Sequence, residues 1–219
     1  MGVEVKFCGL TRAEDARVVA DHGGTYAGVI FAGGPRCLDV ARAERVLAAA
    51  PAGVKRVGVF GGQSVAEIAD TVAALELDVA QLHAGATPAR VRQVREAVGV
   101  AVWAVVRVGD AGDDTPLATR VSHLDSVADA IVLDSFVPGY GGGAGMPFDW
   151  RAVGAGERPR RARLIAAGGL TPENVREAIR ALRPHIVDVS SGVERATGIK
   201  DHDRMRAFAN AVLQNDGES

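Results

Sequence analysis

Cys8 and Asp134 could both move protons, and each ends a short apolar run. In Val3-Glu4-Val5-Lys6-Phe7-Cys8 the side chains alternate, so Val3, Val5 and Phe7 share one face while Glu4, Lys6 and Cys8 share the other. The thiol comes last, as a nucleophilic or basic atom. In Ile131-Val132-Leu133-Asp134 the carboxyl comes last, where desolvation raises its pKa. Either residue alone has an ordinary use, since free cysteine is a common core residue and aspartate a common helix cap. Their neighbours point to chemistry. Lys6, Lys55 and Lys200 are the only lysines among 25 basic residues, so an ammonium inside a strand asks for a reason. Arg36 follows Gly33-Gly34-Pro35, a constrained turn that can aim a guanidinium inward rather than leave it in solvent. His83 closes Gln81-Leu82-His83, where a satisfied structural histidine is the plainer reading.

Two small-residue clusters suggest an anion. Gly168-Gly169 and Ser190-Ser191-Gly192 each follow an apolar strand pattern, and small residues let backbone N–H groups approach a phosphate. Gly139 to Ala144 fits the loose pattern GxGxxA, but Pro147 breaks the long apolar helix that a dinucleotide site needs, so such a site is disfavoured. The stretch from Gly141 to Gly145 reads instead as a loop that closes over the site.

These residues need a scaffold that presents them together. Strand patterns run over Val3 to Cys8, Tyr26 to Phe31, Val54 to Phe60, Val79 to His83, Val100 to Val108, Ala130 to Asp134, Arg163 to Ala167 and His185 to Ser190. Helical patterns lie between them. Arg12 to His22 is expected to start at an N-cap Thr11, and Val40 to Ala50 to stop before Pro51. Ser64 to Leu75 opens with a capping box of Ser64 and Glu67, and Thr87 to Val98 has Pro88 in its first turn. Pro116 to Asp125 is weakly patterned after an expected loop over Asp110 to Thr115. A helix from Thr171-Pro172-Glu173-Asn174 and another over Asp201 to Leu213 complete the set. The segment around Phe148 to Val153 is the least helix-like. Eight near-continuous apolar strands alternating with about eight helices predict a single (β/α)8 TIM barrel over residues 1–219.

In such a barrel the polar residues gather at one end, because functional groups sit at the C-terminal ends of the strands, and phosphates sit after strands seven and eight. Closure also makes strands one and eight neighbours. Lys6 lies two residues before Cys8, and Asp188 two before Ser190, so both should face inward and pair. Burying either charge alone would be strongly destabilising.

Composition bounds the rest. A net charge of −2 with interspersed signs offers no basic field for nucleic acid, so a small-molecule partner is favoured. Cys8 and Cys37 have no CxxC spacing and no signal peptide precedes them, which fits a reducing cytosol. No apolar run approaches a membrane span. A cytoplasmic monomer or homodimer is expected.

The ordered set resembles the phosphoribosylanthranilate isomerases, cofactor-free barrel enzymes of tryptophan biosynthesis. It comprises Lys6-Phe7-Cys8-Gly9-Leu10-Thr11, Gln81-Leu82-His83, Leu133-Asp134-Ser135, Gly142-Gly143-Ala144-Gly145 with Phe148-Asp149-Trp150, Ala167 to Val175, Val187 to Glu194, and Gly198-Ile199-Lys200-Asp201. The resemblance implies an Amadori rearrangement of a phosphoribosyl substrate, with Cys8 as general base, Asp134 as general acid and Arg36 holding substrate. Neither a metal nor a cofactor is implied. Ala84, Gly34 and Ala144 depart from the family pattern without removing a reacting group. The reaction needs an acid on the ring oxygen and a base for the C2 proton. A thiolate serves if a positive field from Lys6, the bound iminium or the helix after Thr11 favours it. The Lys6–Asp188 pair would set the field at Cys8 and offer Asp188 to the substrate's amine, and His83, at the end of its strand, is expected to contact substrate.

Other readings fit less well. A ProFAR-type isomerase would use a pair of aspartates, and indoleglycerol phosphate synthase would use lysine and glutamate. A catalytically silent sugar-phosphate barrel would need neither Cys8 nor Asp134.

Overall fold

The computed structural model describes residues 2–109, 114–135, 149–153 and 157–214. Eight parallel strands close in chain order: β1 (Glu4–Phe7), β2 (Tyr26–Ile30), β3 (Lys55–Phe60), β4 (Val79–Leu82), β5 (Ala101–Val108), β6 (Ala130–Ser135), β7 (Arg163–Ala166) and β8 (Ile186–Val189). Strand β8 pairs back onto β1. Around them lie α1 (Ala13–Arg17), α2 (Val40–Leu47), α3 (Val65–Ala74), α4 (Pro88–Val98), α5 (Leu117–Asp125), α6 (Val175–Leu182) and α7 (His202–Leu213). A 3-10 turn, Ser191–Val193, leads from β8 into an antiparallel hairpin of β9 (Glu194–Ala196) and β10 (Ile199–Lys200).

The period-2 alternation builds two cores. Val5, Phe7, Val29, Leu82, Ile131 and Leu133 point outward and pack beneath helix residues such as Leu47, Val91, Val121 and Phe208. Full burial of such a side chain contributes about 1.5–3 kcal/mol, so this outer layer is the main source of stability. Tyr26, Val57, Val79, Trp103, Val132, Ile165 and Ile186 point inward and fill the barrel. Filling it from below leaves the polar inward positions near the C-terminal end.

Local signals set several helix starts. Ser64 Oγ accepts from the Glu67 N–H at 3.2 Å while the Ser64 N–H donates to Glu67 Oε2 at 2.7 Å, the expected capping box. Thr87 caps α4 with Pro88 in its first turn, and Asp201 caps α7 through the N–H groups of Asp203 and Arg204.

Two starts differ from the sequence pattern. Helix α1 covers only Ala13–Arg17, and Arg12 rather than Thr11 stands at its N-cap. Thr11 has another partner: its hydroxyl donates to the Gly198 carbonyl and ties β1's loop to the hairpin. Beyond α1, i→i−3 bonds from Val19 to Ala16 and from Gly23 to Ala20 tighten the chain back toward β2. Helix α6 begins after Asn174, not Thr171. Asn174 accepts from the Thr171 N–H and donates to the Gly169 carbonyl, both at 2.8 Å, so its amide closes a turn that supports the loop after β7. Between β6 and β7 the described residues include a 3-10 turn, Trp150–Ala152. The glycine-rich loop from Pro138 to Gly145, with Phe148, and most of the loop after β5 lie outside the described residues.

Candidate active site

Lys6 and Asp188 meet as the alternation requires. They are register partners on β1 and β8, Lys6 is fully buried, and its Nζ donates to Asp188 Oδ2 at 2.7 Å. Cys8 lies one residue past β1, where its N–H donates to Val189 O at 2.9 Å, so the thiol is fixed by the end of the β1–β8 ladder. The Lys6 ammonium is also near enough to Cys8 for its charge to act on the thiol. Gly28 on β2 makes room for this group. A Cβ there would sit 3.1 Å from Lys6 Cε and 3.2 Å from Cys8 Sγ.

The electrostatics separate the acid from the base. Burial, and then the charge of Asp188, push Asp134 up from 3.8 to about 6, so a minor protonated fraction persists at neutral pH, more than an ordinary carboxyl keeps. The charge of Asp188 thus has the effect expected of a nearby anion. Burial also pushes the Cys8 thiol up, and this outweighs Lys6, whose positive field is partly cancelled by Asp188. In the ligand-free protein the thiol is thus held toward its protonated form, and Lys6 by itself does not supply the field. Nor does a long helix follow Thr11, because α1 has five residues and starts at Ala13. Lys6 itself is pushed up: burial alone would lower it, but Asp188 and Cys8 prevail.

A cavity of about 500 Å³ opens at the C-terminal end of the barrel, lined by Cys8, Arg36, Gln81, His83, Asp134 and Asp188 together with Gly168, Gly169, Ser190 and Ser191. Nearly every residue expected from the sequence is thus brought to one cavity. Gly192 is not on its wall. It marks a close crossing of the two loops, since a Cβ there would lie 1.8 Å from the Leu170 carbonyl oxygen. Lys6 lies beneath the cavity, and Cys37 is exposed away from it.

Arg36 does turn inward, but it is not alone. Its Nε and Nη2 donate to the two carboxylate oxygens of Glu194 at 2.8 and 2.7 Å. Lys200, which is 1% exposed, donates to Glu194 Oε1 at 2.9 Å and to the Ser190 carbonyl at 3.0 Å. Burial pushes Lys200 down, and burial is outweighed at Glu194, whose carboxyl is held low by Arg36 and Lys200. Sequence reasoning assigned no role to Glu194 or Lys200. The available signal was that Lys200 is one of three lysines in an arginine-rich chain. What hid the contact is the hairpin, which folds β9 and β10 back over the end of β8.

Among the described residues no three His, Cys, Asp or Glu side chains gather as a metal would need, and no helix is long and apolar enough to cross a membrane. Two carboxyls and a thiol on one cavity wall, above a buried ammonium, are groups that can protonate a ring oxygen and shuttle a carbon-bound proton.

Comparison with known proteins agrees with this chemistry. A family model described as N-(5'phosphoribosyl)anthranilate (PRA) isomerase matches residues 5–211. The N-(5'-phosphoribosyl)anthranilate isomerase of Acidithiobacillus ferrooxidans is 42% identical over 213 residues, covering 96% of this chain and 97% of the relative. The crystal structure of phosphoribosyl anthranilate isomerase from Thermotoga maritima superimposes with a TM-score of 0.83 at 34% identity, covering 97% of this chain and 99% of that one. A crystal structure of the isomerase in complex with reduced 1-(o-carboxyphenylamino)-1-deoxyribulose 5-phosphate gives a TM-score of 0.80 at 32% identity, again over 97% and 99% of the two chains. With the closed barrel and a match over nearly its whole length, the chain belongs to the N-(5'-phosphoribosyl)anthranilate isomerase family.

Proposed function

We propose that this protein isomerises N-(5'-phosphoribosyl)anthranilate to 1-(o-carboxyphenylamino)-1-deoxyribulose 5-phosphate, with Asp134 as general acid and Cys8 as general base. The observation that carries the assignment is the raised Asp134 carboxyl sharing a cavity with the Cys8 thiol. Asp134 gives its proton to the ring oxygen, the C1–O bond breaks, and the amine nitrogen's lone pair forms the iminium. Cys8 then takes the proton from C2, and the C2–H electrons flow toward nitrogen to give an enaminol. Loss of the hydroxyl proton from O2 and protonation at C1 yield the aminoketose.

A thiol pushed up by burial still works in this sequence. The reacting form carries the pair's one proton on Asp134 and has Cys8 ionised, and the positive iminium formed on ring opening adds to Lys6 in holding that thiolate until it takes the C2 proton. Asp188, already neutralised on one oxygen by Lys6, has Oδ1 without a partner among the described residues and is suited to the substrate's amine. Glu194 takes one edge of the Arg36 fork, through Nε and Nη2, and leaves its remaining donors for substrate, with His83 on the same cavity wall.

The phosphate is assigned to the loops after β7 and β8, on Gly168, Gly169, Ser190 and Ser191, with Gly192 acting through the loop crossing. A small-molecule partner of this kind is bound by the solved isomerase complex. The test is to generate phosphoribosylanthranilate in situ and follow loss of its fluorescence. Decay no faster than without protein would sink the proposal.

A further inference from the structure

Gln81 stands on the inner face of β4, two residues beyond Val79, which packs inside the barrel. It is 3% exposed and lines the cavity that holds Cys8, Asp134 and Asp188. Its amide Oε1 is buried with no hydrogen-bond partner among the described residues. Neither register neighbour supplies one. At its level stand Val59 on β3, which has no polar side-chain atom, and Trp103 on β5, whose ring packs edge-on against Tyr26 with centroids 5.1 Å apart.

Buried polar groups are normally paired, because their lost hydration is otherwise not repaid. An amide oxygen left unpaired on a residue of the cavity wall, at a position where any apolar residue would continue the barrel's inner core, is a group kept for a ligand. It is also neutral. A carboxylate there would add a third carboxyl to a wall that already holds Asp134 and Asp188.

Resting on the isomerase reading above, we infer that Gln81 is a specificity-determining residue that accepts a hydrogen bond from the substrate's C3 hydroxyl. The ribose places its C2–C3 edge opposite the ring oxygen, so an acid on β6 that reaches the oxygen turns this edge toward other strands. O2 loses its proton when the ketone forms, whereas the C3 hydroxyl keeps its own in substrate, enaminol and product. A fixed neutral acceptor matches the hydroxyl that never changes. Such a bond is made equally in ground and transition states, so its loss raises KM and leaves kcat little changed.

The test compares wild type with Gln81→Met, which keeps the volume and removes the amide. Turnover, the melting temperature of the ligand-free protein, and binding of the reduced product analogue and its 3-deoxy counterpart are measured. For Gln81→Met, KM and the Kd of the analogue should rise roughly tenfold, the worth of one well-made hydrogen bond, with kcat nearly kept. Its ligand-free melting temperature should equal or exceed that of wild type, because an unpaired acceptor has been removed. The 3-deoxy analogue should bind both proteins alike. A variant that melts lower or fails to fold overturns the inference, since Gln81 would then be structural. So does an unchanged KM, or a loss confined to kcat. Wild-type protein without turnover would overturn the isomerase reading and the Gln81 role with it, whereas normal wild-type turnover with an indifferent variant overturns the inference alone.

Discussion

At the N-terminal end of the barrel Glu4, Tyr26 and Arg163 satisfy one another: the Tyr26 hydroxyl donates to Glu4 at 3.1 Å, and the Arg163 guanidinium reaches both. Tyr26 also stacks edge-on with Trp103, and Lys55 Nζ lies 5.4 Å from its ring centre. At the C-terminal end the same inward positions are left incomplete. Gln81 Oε1, Asp188 Oδ1 and Ser190 Oγ are buried without partners among the described residues, and Asp134 is held near 6 by burial and by Asp188. One fold thus buries polar groups twice, closing the set at one end and leaving it open at the other. An end that completes its own bonds serves stability. An end that leaves acceptors open lowers the stability of the free protein and gains where a substrate supplies the donors.

Substitutions can break this contrast, and the largest effects belong at the mouth. Cys8→Ala and Asp134→Asn should each lower kcat by roughly 10²- to 10⁴-fold, the worth of a positioned base or acid, while Cys37→Ala stays near wild type. Near-normal turnover in either site variant would end its assignment. The pH profile sharpens the point. With the acid near 6 and the thiol pushed up by burial, kcat/KM should be bell-shaped. Below about 6 both groups are protonated and no base remains; above the thiol's pKa both are ionised and no acid remains. Between them the pair holds one proton, and the form with it on Asp134 is productive. A profile flat through pH 6 would contradict the carboxyl's placement.

Lys6→Met comes next, because it leaves Asp188 buried without its cation. A loss of about 3–5 kcal/mol in unfolding free energy is expected from denaturant titration, with a shifted kcat/KM profile. Unchanged stability would mean that Asp188 is compensated by another group.

Asp134→Asn should move stability the other way. A folded-state pKa above the unfolded one means that the folded state holds more protons between the two values, so this carboxyl's contribution is lost as pH rises through about 6. Removing the ionisation should stabilise the ligand-free protein at pH 7 by up to about 3 kcal/mol, and the gain should vanish near pH 3. A destabilised variant at pH 7 would refute the idea that the mouth is held under electrostatic load.

The smallest effects are expected at the closed end. Glu4→Gln should cost about 0.2–1 kcal/mol, given that both side chains of its ion pair are part-exposed, and leave kcat alone. Lys55→Met should cost no more than about 1 kcal/mol and leave the pH profile unmoved. A large activity loss from either would erase the distinction between the two ends.

The barrel and the inward Lys6–Asp188 pair were legible in the sequence because they arise from a period of two on short apolar runs, and a period is a local property. The capping box at Ser64 was legible for the same reason, since its two partners are three residues apart. So was the gathering of Cys8, Arg36, Asp134 and the two small-residue loops, once strand ends were known to share one face. Only the tertiary structure decided what competes for a side chain. Thr11 has the composition of a cap, but Gly198, far along the chain, takes its hydroxyl. Glu194 and Lys200 carry no local pattern that assigns them a partner, and only the fold-back of β9 and β10 buries both against Arg36 and Ser190. Cys8 sits beside a lysine, yet burial outweighs that charge and Asp188 offsets it, a balance of desolvation and Coulomb terms that depends on how deeply all three are enclosed. Periodicity chooses the face a residue points to; which partner waits there, and how much water remains, is set by segments that meet only when the barrel closes.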